Sequence, residues 1–300
     1  MTGWLVNDKL TCIPGTRTFW NNLLDSIPGL VDKTTQPYAV LAGVIEAECL
    51  LGEPDYIIRN AAYFPWLNVK CPVVAFVQDI MQGSARDMLL EACAASRLIV
   101  FNSEFTRAQY PELEYMTHKI IPIGTDETTF KPCEPDASIP GGAVLWVGSG
   151  HHVKGFDLAC RLANESDRPW VFVMKDETEV PVKNAHVYRS IFQSELASIA
   201  SACSVAVCTS RVETQHLAGI EAGMCGLPLV TTNVGAYYNR APGVWGRVTS
   251  GDWHRDIEDV TKGDYAHPAF YWRDEGFGLS KCMDAWIETV RSLEVQHVNG

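Results

Sequence analysis

Short apolar or β-branched runs alternate with segments of helical spacing along most of the chain. In the first half, residues 4–6, 38–44, 56–59, 73–77, 98–100 and 119–123 read as strands, and 85–95 has the spacing of a helix. The second half repeats the rhythm with strands over 143–147, 171–174, 185–188, 205–208 and 229–231. Regular alternation of strand and helix predicts parallel, doubly wound sheets, an α/β protein in two domains. Between the halves, Lys131-Pro-Cys-Glu-Pro-Asp-Ala-Ser-Ile-Pro-Gly-Gly142 is rich in proline and glycine and reads as a linker. The boundary is therefore set near residue 138, giving domains over 1–138 and 139–278. A last amphipathic segment, about 279–293 with Trp286 and Ile287, predicts a helix inside a terminal stretch 279–300.

Composition supports two real cores and narrows the partners. The chain has 300 residues, 47% of them hydrophobic, which suffices for two medium domains. No apolar run reaches the length of a membrane span. The first residues, Met1-Thr-Gly-Trp-Leu-Val-Asn-Asp, have neither a basic stretch nor an apolar one behind it, so no secretory signal is expected. The 10 cysteines form no C-x-x-C pair, and Cys71, Cys93, Cys203 and Cys208 lie within or beside apolar stretches. They read as reduced core thiols of a cytoplasmic protein. A net charge of -12 speaks against the broad basic surface of a nucleic-acid binder, although a locally basic groove is compatible with the same sum.

Candidate chemistry concentrates in Ser210-Arg-Val-Glu-Thr-Gln-His-Leu-Ala-Gly-Ile-Glu221. An apolar strand ends in a polar loop, and a helix is expected from near Gln215 to about Cys225. Glu213 then precedes the helix and Glu221 lies inside it. Backbone N–H groups of the first turn, around His216, Leu217 and Ala218, have no partner within a helix and make an anion site suited to a diphosphate. Carboxylates on either side can accept hydrogen bonds from hydroxyls. Taken alone, the spacing is equally that of an ordinary amphipathic helix with two solvated glutamates. The loop after strand 143–147 adds Gly148 and Gly150, which let a backbone approach a phosphate, and Lys154, a cation for it. No G-x-S-x-G, H-E-x-x-H, G-x-x-x-x-G-K-[ST] or Asp-x-Asp occurs, so no metal site is expected.

Five stretches in order resemble the family-4 retaining glycosyltransferases. Val144-Leu-Trp-Val-Gly-Ser-Gly-His-His-Val-Lys-Gly-Phe-Asp157 is similar to the strand, glycine loop and Lys-Gly pair that open that family's C-terminal domain. Lys119-Ile-Ile-Pro-Ile-Gly-Thr-Asp126 with Phe130-Lys-Pro132 is similar to the segment that closes its N-terminal domain. Val100-Phe-Asn-Ser-Glu-Phe-Thr106, the Glu213/Glu221 stretch and Pro228-Leu-Val-Thr-Thr-Asn-Val-Gly235 complete the set. The resemblance covers roughly residues 70 to 250. It implies the GT-B fold, two Rossmann-like domains facing each other across a cleft, with the terminal helix crossing back onto the N-terminal domain. It also implies a retaining, metal-independent transfer of a sugar from a nucleoside-diphosphate sugar such as UDP-glucose, with no bound cofactor.

By that resemblance Lys154 stabilises the leaving diphosphate, Glu213 orients the sugar and Glu221 grips the ribose. The base is expected near Arg189 to Ile191, and Gly15, in a first loop read over 11–18 before a helix from near Phe19, would approach the donor. The chain departs from the family at Ser149, where an arginine is usual, which leaves Arg211, His151 or His152 as replacement cations. It departs again at Pro14-Gly15, in place of a glycine pair, and at Gln78-Asp79, in place of His-Asp. The acceptor stays open: a glycan, a small metabolite, or a hydroxymethylated base of phage-type DNA. A sugar-nucleotide epimerase and a non-catalytic sugar-nucleotide-binding protein are the other readings of the same residues.

Overall fold

The computed structural model describes residues 2–6, 14–33, 45–46, 48–60, 67–183, 185–263 and 268–297. The strand expected over 38–44 lies outside the described residues. The chain divides into two compact units, unit 1 over Met1–Gly124 and Ser280–Gly300, and unit 2 over Thr125–Leu279.

Unit 1 carries a parallel sheet of β1 (Gly3–Val6), β2 (Leu30–Asp32), β3 (Tyr56–Asn60), β4 (Val73–Val77), β5 (Leu98–Phe101) and β6 (His118–Ile120), in the order β2-β1-β3-β4-β5-β6. The central strands β3, β4 and β5 are buried along their whole length, as parallel strands covered on both faces must be. Successive side chains of β4 go to opposite faces. Ala75 and Val77 pack with Leu89, Ala92 and Cys93 of α2 (Ser84–Ala94). Phe76 instead meets Phe19 and Trp20 of α1 (Pro14–Ser26), at ring separations of 5.2 and 5.7 Å. Trp286, on the terminal helix Leu279–His297, stands edge-on to Phe76 at 5.3 Å. α3 (Glu104–Ala108) follows β5 directly because Ser103 caps it, its Oγ accepting the Thr106 N–H at 3.0 Å.

Unit 2 carries β7 (Val144–Gly148), β8 (Trp170–Met174), β9 (His186–Arg189), β10 (Val205–Cys208), β11 (Leu229–Thr231) and β12 (Gly246–Val248), all parallel, in the order β12-β11-β10-β7-β8-β9. Alternate residues again separate two cores. Leu145, Val171, Val173, Ala206, Cys208 and Leu229 pack on one face with α5 (Gln193–Ala202) and α6 (Leu217–Met224). Trp146, Phe172, Met174, Val205, Val207 and Val230 pack on the other with α4 (Phe156–Asn164) and α7 (Trp253–Lys262). Each large apolar side chain so buried contributes about 1.5–3 kcal/mol.

Three readings of the sequence are corrected. The units divide at Gly124/Thr125 and not near 138, because the proline-rich stretch is tied to unit 2: Phe130 and Ile139 belong to its core, and Ser198 donates to the Glu134 carbonyl at 2.8 Å. α1 begins at Pro14, so Gly15 lies in the first turn of a helix and not in a loop. A proline at the first helical position suits that start, having no N–H to leave unpaired. The edge strands β2 and β12, three residues each, carried too short an apolar run to be read.

Candidate functional site

The strand order of unit 2 places its first strand, β7, beside its fourth, β10, so the connections after these two strands run in opposite directions. Doubly wound sheets bind ligands outside the carboxyl ends of the strands at such a switch point. Lys154 and Glu213, both singled out in the sequence, meet there.

After β7 the chain makes a glycine turn, a short 3₁₀ turn over His152–Lys154, and then α4. Gly155 sits at φ 65°, and a Cβ on it would lie 2.0 Å from the Thr209 carbonyl oxygen, so this residue must be glycine for the β7 and β10 loops to touch. The contact is sealed by the buried Thr209 hydroxyl. It donates to the carbonyls of Lys154 and Gly155 at 3.0 and 2.9 Å and accepts the Trp146 indole N–H at 3.0 Å. Lys154 is thereby presented to the loop after β10, and its Nζ reaches Glu213 Oε1 at 2.6 Å, a pair 59 residues apart in the chain. Ser210 Oγ donates to the same carboxylate oxygen at 2.9 Å. The Glu213 side chain is only 10% exposed and that of Lys154 is 36% exposed, so the cation is the more reachable partner.

α6 begins at Leu217 and not at Gln215, because His216 takes the left-handed conformation (φ 66°, ψ 68°) and caps it. Among the described residues the N–H groups of Leu217 and Ala218 have no protein acceptor, whereas that of Gly219 turns back to the His216 carbonyl at 3.2 Å. Glu221 follows one turn on. Its burial pushes the carboxyl up to about 7, partly offset by the charge of Lys175, and among the described residues no hydrogen bond holds it.

Arg211 is occupied. Its guanidinium makes two parallel bonds to Asp157, at 2.9 and 2.7 Å, and a third to the His152 carbonyl at 2.6 Å. The first of these interactions, the Arg211 hydrogen bonding, holds the Asp157 carboxyl at about 2. Arg211 therefore braces the start of α4, and the substitute cation expected from it is committed elsewhere. Arg189 is similarly engaged, donating to the carbonyls of Asp176 and Thr178 beyond β8. Gly148 closes β7 with its missing Cβ facing the Trp146 ring, and Ser149 beside it is half-buried. The N–H of Gly150 donates to Asp176 Oδ2 at 2.9 Å, so it is already satisfied. Ile191, after β9, is half-buried against the core of unit 2. Gly15 belongs to unit 1.

Three residues at this edge escaped the sequence reading. Lys175, exposed directly after β8, supplies the positive charge felt by Glu221. Phe192, 77% exposed, follows the Arg189 to Ile191 stretch and offers an aromatic face where a base was expected. Tyr237, wholly buried, bonds His216 at 2.8 Å. The first two were visible as a lysine and an aromatic just past predicted strands; Tyr237 carried no local signal. Among the described residues no group of three or more His, Cys, Asp or Glu could hold a metal ion, and no helix is long and apolar enough to cross a membrane.

Comparison with known proteins bears on the fold. Residues 142–257 match the family model "Glycosyl transferases group 1". No curated protein matches the chain. Among solved structures, sucrose-phosphate synthase of Thermosynechococcus elongatus superposes with a TM-score of 0.74 at 15% identity, covering 99% of this chain and 100% of that one. HepE of Anabaena in complex with UDP gives 0.74 at 15%, covering 97% and 100%. WaaG, a glycosyltransferase involved in lipopolysaccharide biosynthesis, gives 0.64 at 13%, covering 95% and 98%. At these identities the likeness is one of fold. The chain has the GT-B fold, and residues 142–257 within its second unit match the Glycosyl transferases group 1 model.

Proposed function

We propose that the protein is a retaining, metal-independent glycosyltransferase that moves a hexosyl group from a nucleoside-diphosphate sugar such as UDP-glucose to a hydroxyl acceptor. The observation that carries this reading is the convergence of Lys154 and Glu213 at 2.6 Å, at the switch point of a domain matched by a glycosyltransferase model. UDP and UDP-glucose are the molecules bound to HepE in its solved complexes, which supports that choice of donor.

The diphosphate lies at the first turn of α6, where the Leu217 and Ala218 N–H groups and the partial positive charge of the helix end meet it. Lys154 adds a full charge, exchanging part of its contact with Glu213 for the phosphate. Glu213, freed on one oxygen, accepts hydrogen bonds from sugar hydroxyls, and Glu221 accepts from the ribose. The base rests on the loop after β9, against Ile191 and Phe192. As the bond from the anomeric carbon to the phosphate oxygen breaks, its electrons pass to the diphosphate, whose growing charge is stabilised by these preplaced dipoles. The acceptor hydroxyl oxygen bonds the anomeric carbon on the same face and its proton passes to the departing phosphate, so configuration is kept. Lys154 and Glu213 are the catalytic residues of this scheme. The described cysteines are free thiols, as a reducing compartment such as the cytoplasm keeps them.

A non-catalytic sugar-nucleotide-binding protein is the second reading, favoured by one observation: with serine at 149 and Arg211 bound to Asp157, Lys154 is the cation paired at the switch point. Incubating the purified protein with a panel of nucleoside-diphosphate sugars, with and without candidate acceptors, and following products by mass spectrometry separates the readings. Transfer, or slow hydrolysis of one donor releasing the retained anomer, is expected. Isomerised donor would identify an epimerase, and tight UDP binding without turnover a binding protein. Excess chelator should leave the rate unchanged, and a rate lost to EDTA and restored by manganese would sink the metal-independent scheme.

A further inference from the structure

His216 is one of three non-glycine residues described with positive φ, and it stands at the catalytic edge. A left-handed backbone is unfavourable for a non-glycine residue and persists where the surroundings fix it. Here they do. The preceding Gln215 is buried and its carbonyl accepts the Ala236 N–H at 3.1 Å. Gly235, itself at φ 55°, keeps clear of the Gln215 backbone, which a Cβ there would approach to 2.8 Å. On the other side Gly219 leaves room for the ring: a Cβ at 219 would lie 2.5 Å from His216 Nδ1 and 1.9 Å from the Tyr237 hydroxyl. Through that gap the two side chains join at 2.8 Å. Tyr237 is held in turn by stacking on Trp245 at 5.7 Å and by Trp272 edge-on at 5.8 Å. Two glycines and an aromatic stack thus fix one imidazole at the N-terminus of α6.

The chemistry of the ring follows from its neighbours. Burial holds the imidazole down at about 4, with the charge of Glu213 acting to raise it and that of Lys154 to lower it. Burial also pushes the Tyr237 phenol well above its usual range, so its oxygen keeps its proton. A neutral imidazole carries one proton on two nitrogens, and the partner of one decides the role of the other.

We propose that the Tyr237 hydroxyl donates to His216 Nδ1, which puts the imidazole proton on Nε2, and that this N–H is a third donor to the departing diphosphate beside those of Leu217 and Ala218. His216 is then a catalytic residue through its side chain and Tyr237 its positioning residue. The inference rests on the glycosyltransferase reading. It adds a neutral donor where the sequence has Ser149 for the usual arginine, and it costs no charge repulsion with Lys154.

The test uses His216→Gly, His216→Asn and Tyr237→Phe in the full chain, with turnover of UDP-glucose and calorimetric affinity for UDP as readouts. Glycine accepts the left-handed backbone better than histidine does, so it removes the donor without straining the turn. His216→Gly should lower kcat at least tenfold, or weaken UDP at least threefold if no turnover is found. Asparagine tolerates the same backbone and carries an amide donor, so His216→Asn should recover part of that loss. Tyr237→Phe should lower kcat with little change in KM, and should have no further effect in the His216→Gly background. His216→Gly behaving as the parent, or the two substitutions acting additively, would overturn the inference while leaving the glycosyltransferase reading intact. A parent protein that binds neither UDP nor UDP-glucose would overturn both.

Discussion

Glu213 shares one carboxylate oxygen between the Lys154 ammonium and the Ser210 hydroxyl, so a single side chain links the two loops that leave the switch point. With Lys154 more than a third exposed, the ion pair itself contributes at most about 1 kcal/mol to stability. Under the proposed function its role is in catalysis. Lys154→Ala should therefore melt within a few degrees of the parent yet lower turnover by about a hundredfold or more, the usual loss of an electrostatic stabiliser; parent-like turnover would remove Lys154 from the leaving group. Glu221→Ala should weaken UDP by roughly 1.5–3 kcal/mol, as for a lost hydrogen bond to a charged group, and unchanged calorimetric affinity would take Glu221 off the ribose. The Glu221 carboxyl is raised to about 7 by burial. A carboxyl raised on folding binds more protons in the native state, so its contribution to stability is complete below its unfolded value and is lost as pH rises toward 7. In the proposed complex nucleotide binding runs the other way, because ribose hydroxyls held by Glu221 need the ionised acceptor. UDP affinity should rise between roughly pH 6 and 8 more steeply in the parent than in Glu221→Gln, where only the nucleotide titrates. Parallel pH curves for the two proteins would contradict the assignment.

At the scale of elements, the loops after β7 and β10 are joined by backbone closeness before any side chain acts. Gly155 packs against the Thr209 carbonyl, Thr209 ties back to Lys154 and Gly155, and the N–H of Arg211 donates to the Val153 carbonyl at 2.8 Å. Arg211 and Asp157 then clamp the start of α4 from the other loop. The glycine of the Lys-Gly pair is thus a requirement of contact between two loops, and the lysine is aimed by that contact. Gly155→Ala adds a Cβ 2.0 Å from a backbone oxygen, on a left-handed residue. It should destabilise unit 2 by about 2 kcal/mol or more, with turnover falling alongside because Lys154 shifts. A urea midpoint equal to that of the parent would show that the loops part without cost.

Over the whole molecule, the terminal helix shows how chain order and unit membership differ. α8 (Pro268–Asp274) packs in unit 2 through Trp272, whereas α9 (Leu279–His297) starts at the end of unit 2 and clusters with unit 1 from Ser280 onward. There Thr289 meets Lys119 Nζ at 3.2 Å, the Cys282 thiol donates to the Pro122 carbonyl at 2.7 Å, and Trp286 is fully buried against Phe19 and Phe76. Trp286→Ala should cost unit 1 about 3–5 kcal/mol. Calorimetry should show a lower-melting transition, while the folded protein keeps its UDP affinity because the proposed nucleotide residues lie in unit 2; a loss of affinity in proportion to stability would contradict that division.

The sequence by itself determined the strands of both sheets apart from β2 and β12, the three longest described helices and the chain order of the candidate site. Strand runs such as 73–77 and 143–147, and the glycine turn after the second of them, are local signals, set by side-chain patterning and backbone freedom within a few residues. For the same reason Lys154, Glu213 and Glu221 could be singled out one at a time. Only the tertiary structure decided which of them meet. The order β12-β11-β10-β7-β8-β9 comes from long-range pairing, and it brings together Lys154 and Glu213. The same packing commits Arg211 to Asp157, ties the proline-rich stretch to unit 2, and buries Tyr237 against His216. A partner distant in sequence leaves no periodic trace near the residue it holds, and burial, which raises Glu221 and lowers His216, belongs to the assembled core and not to the chain.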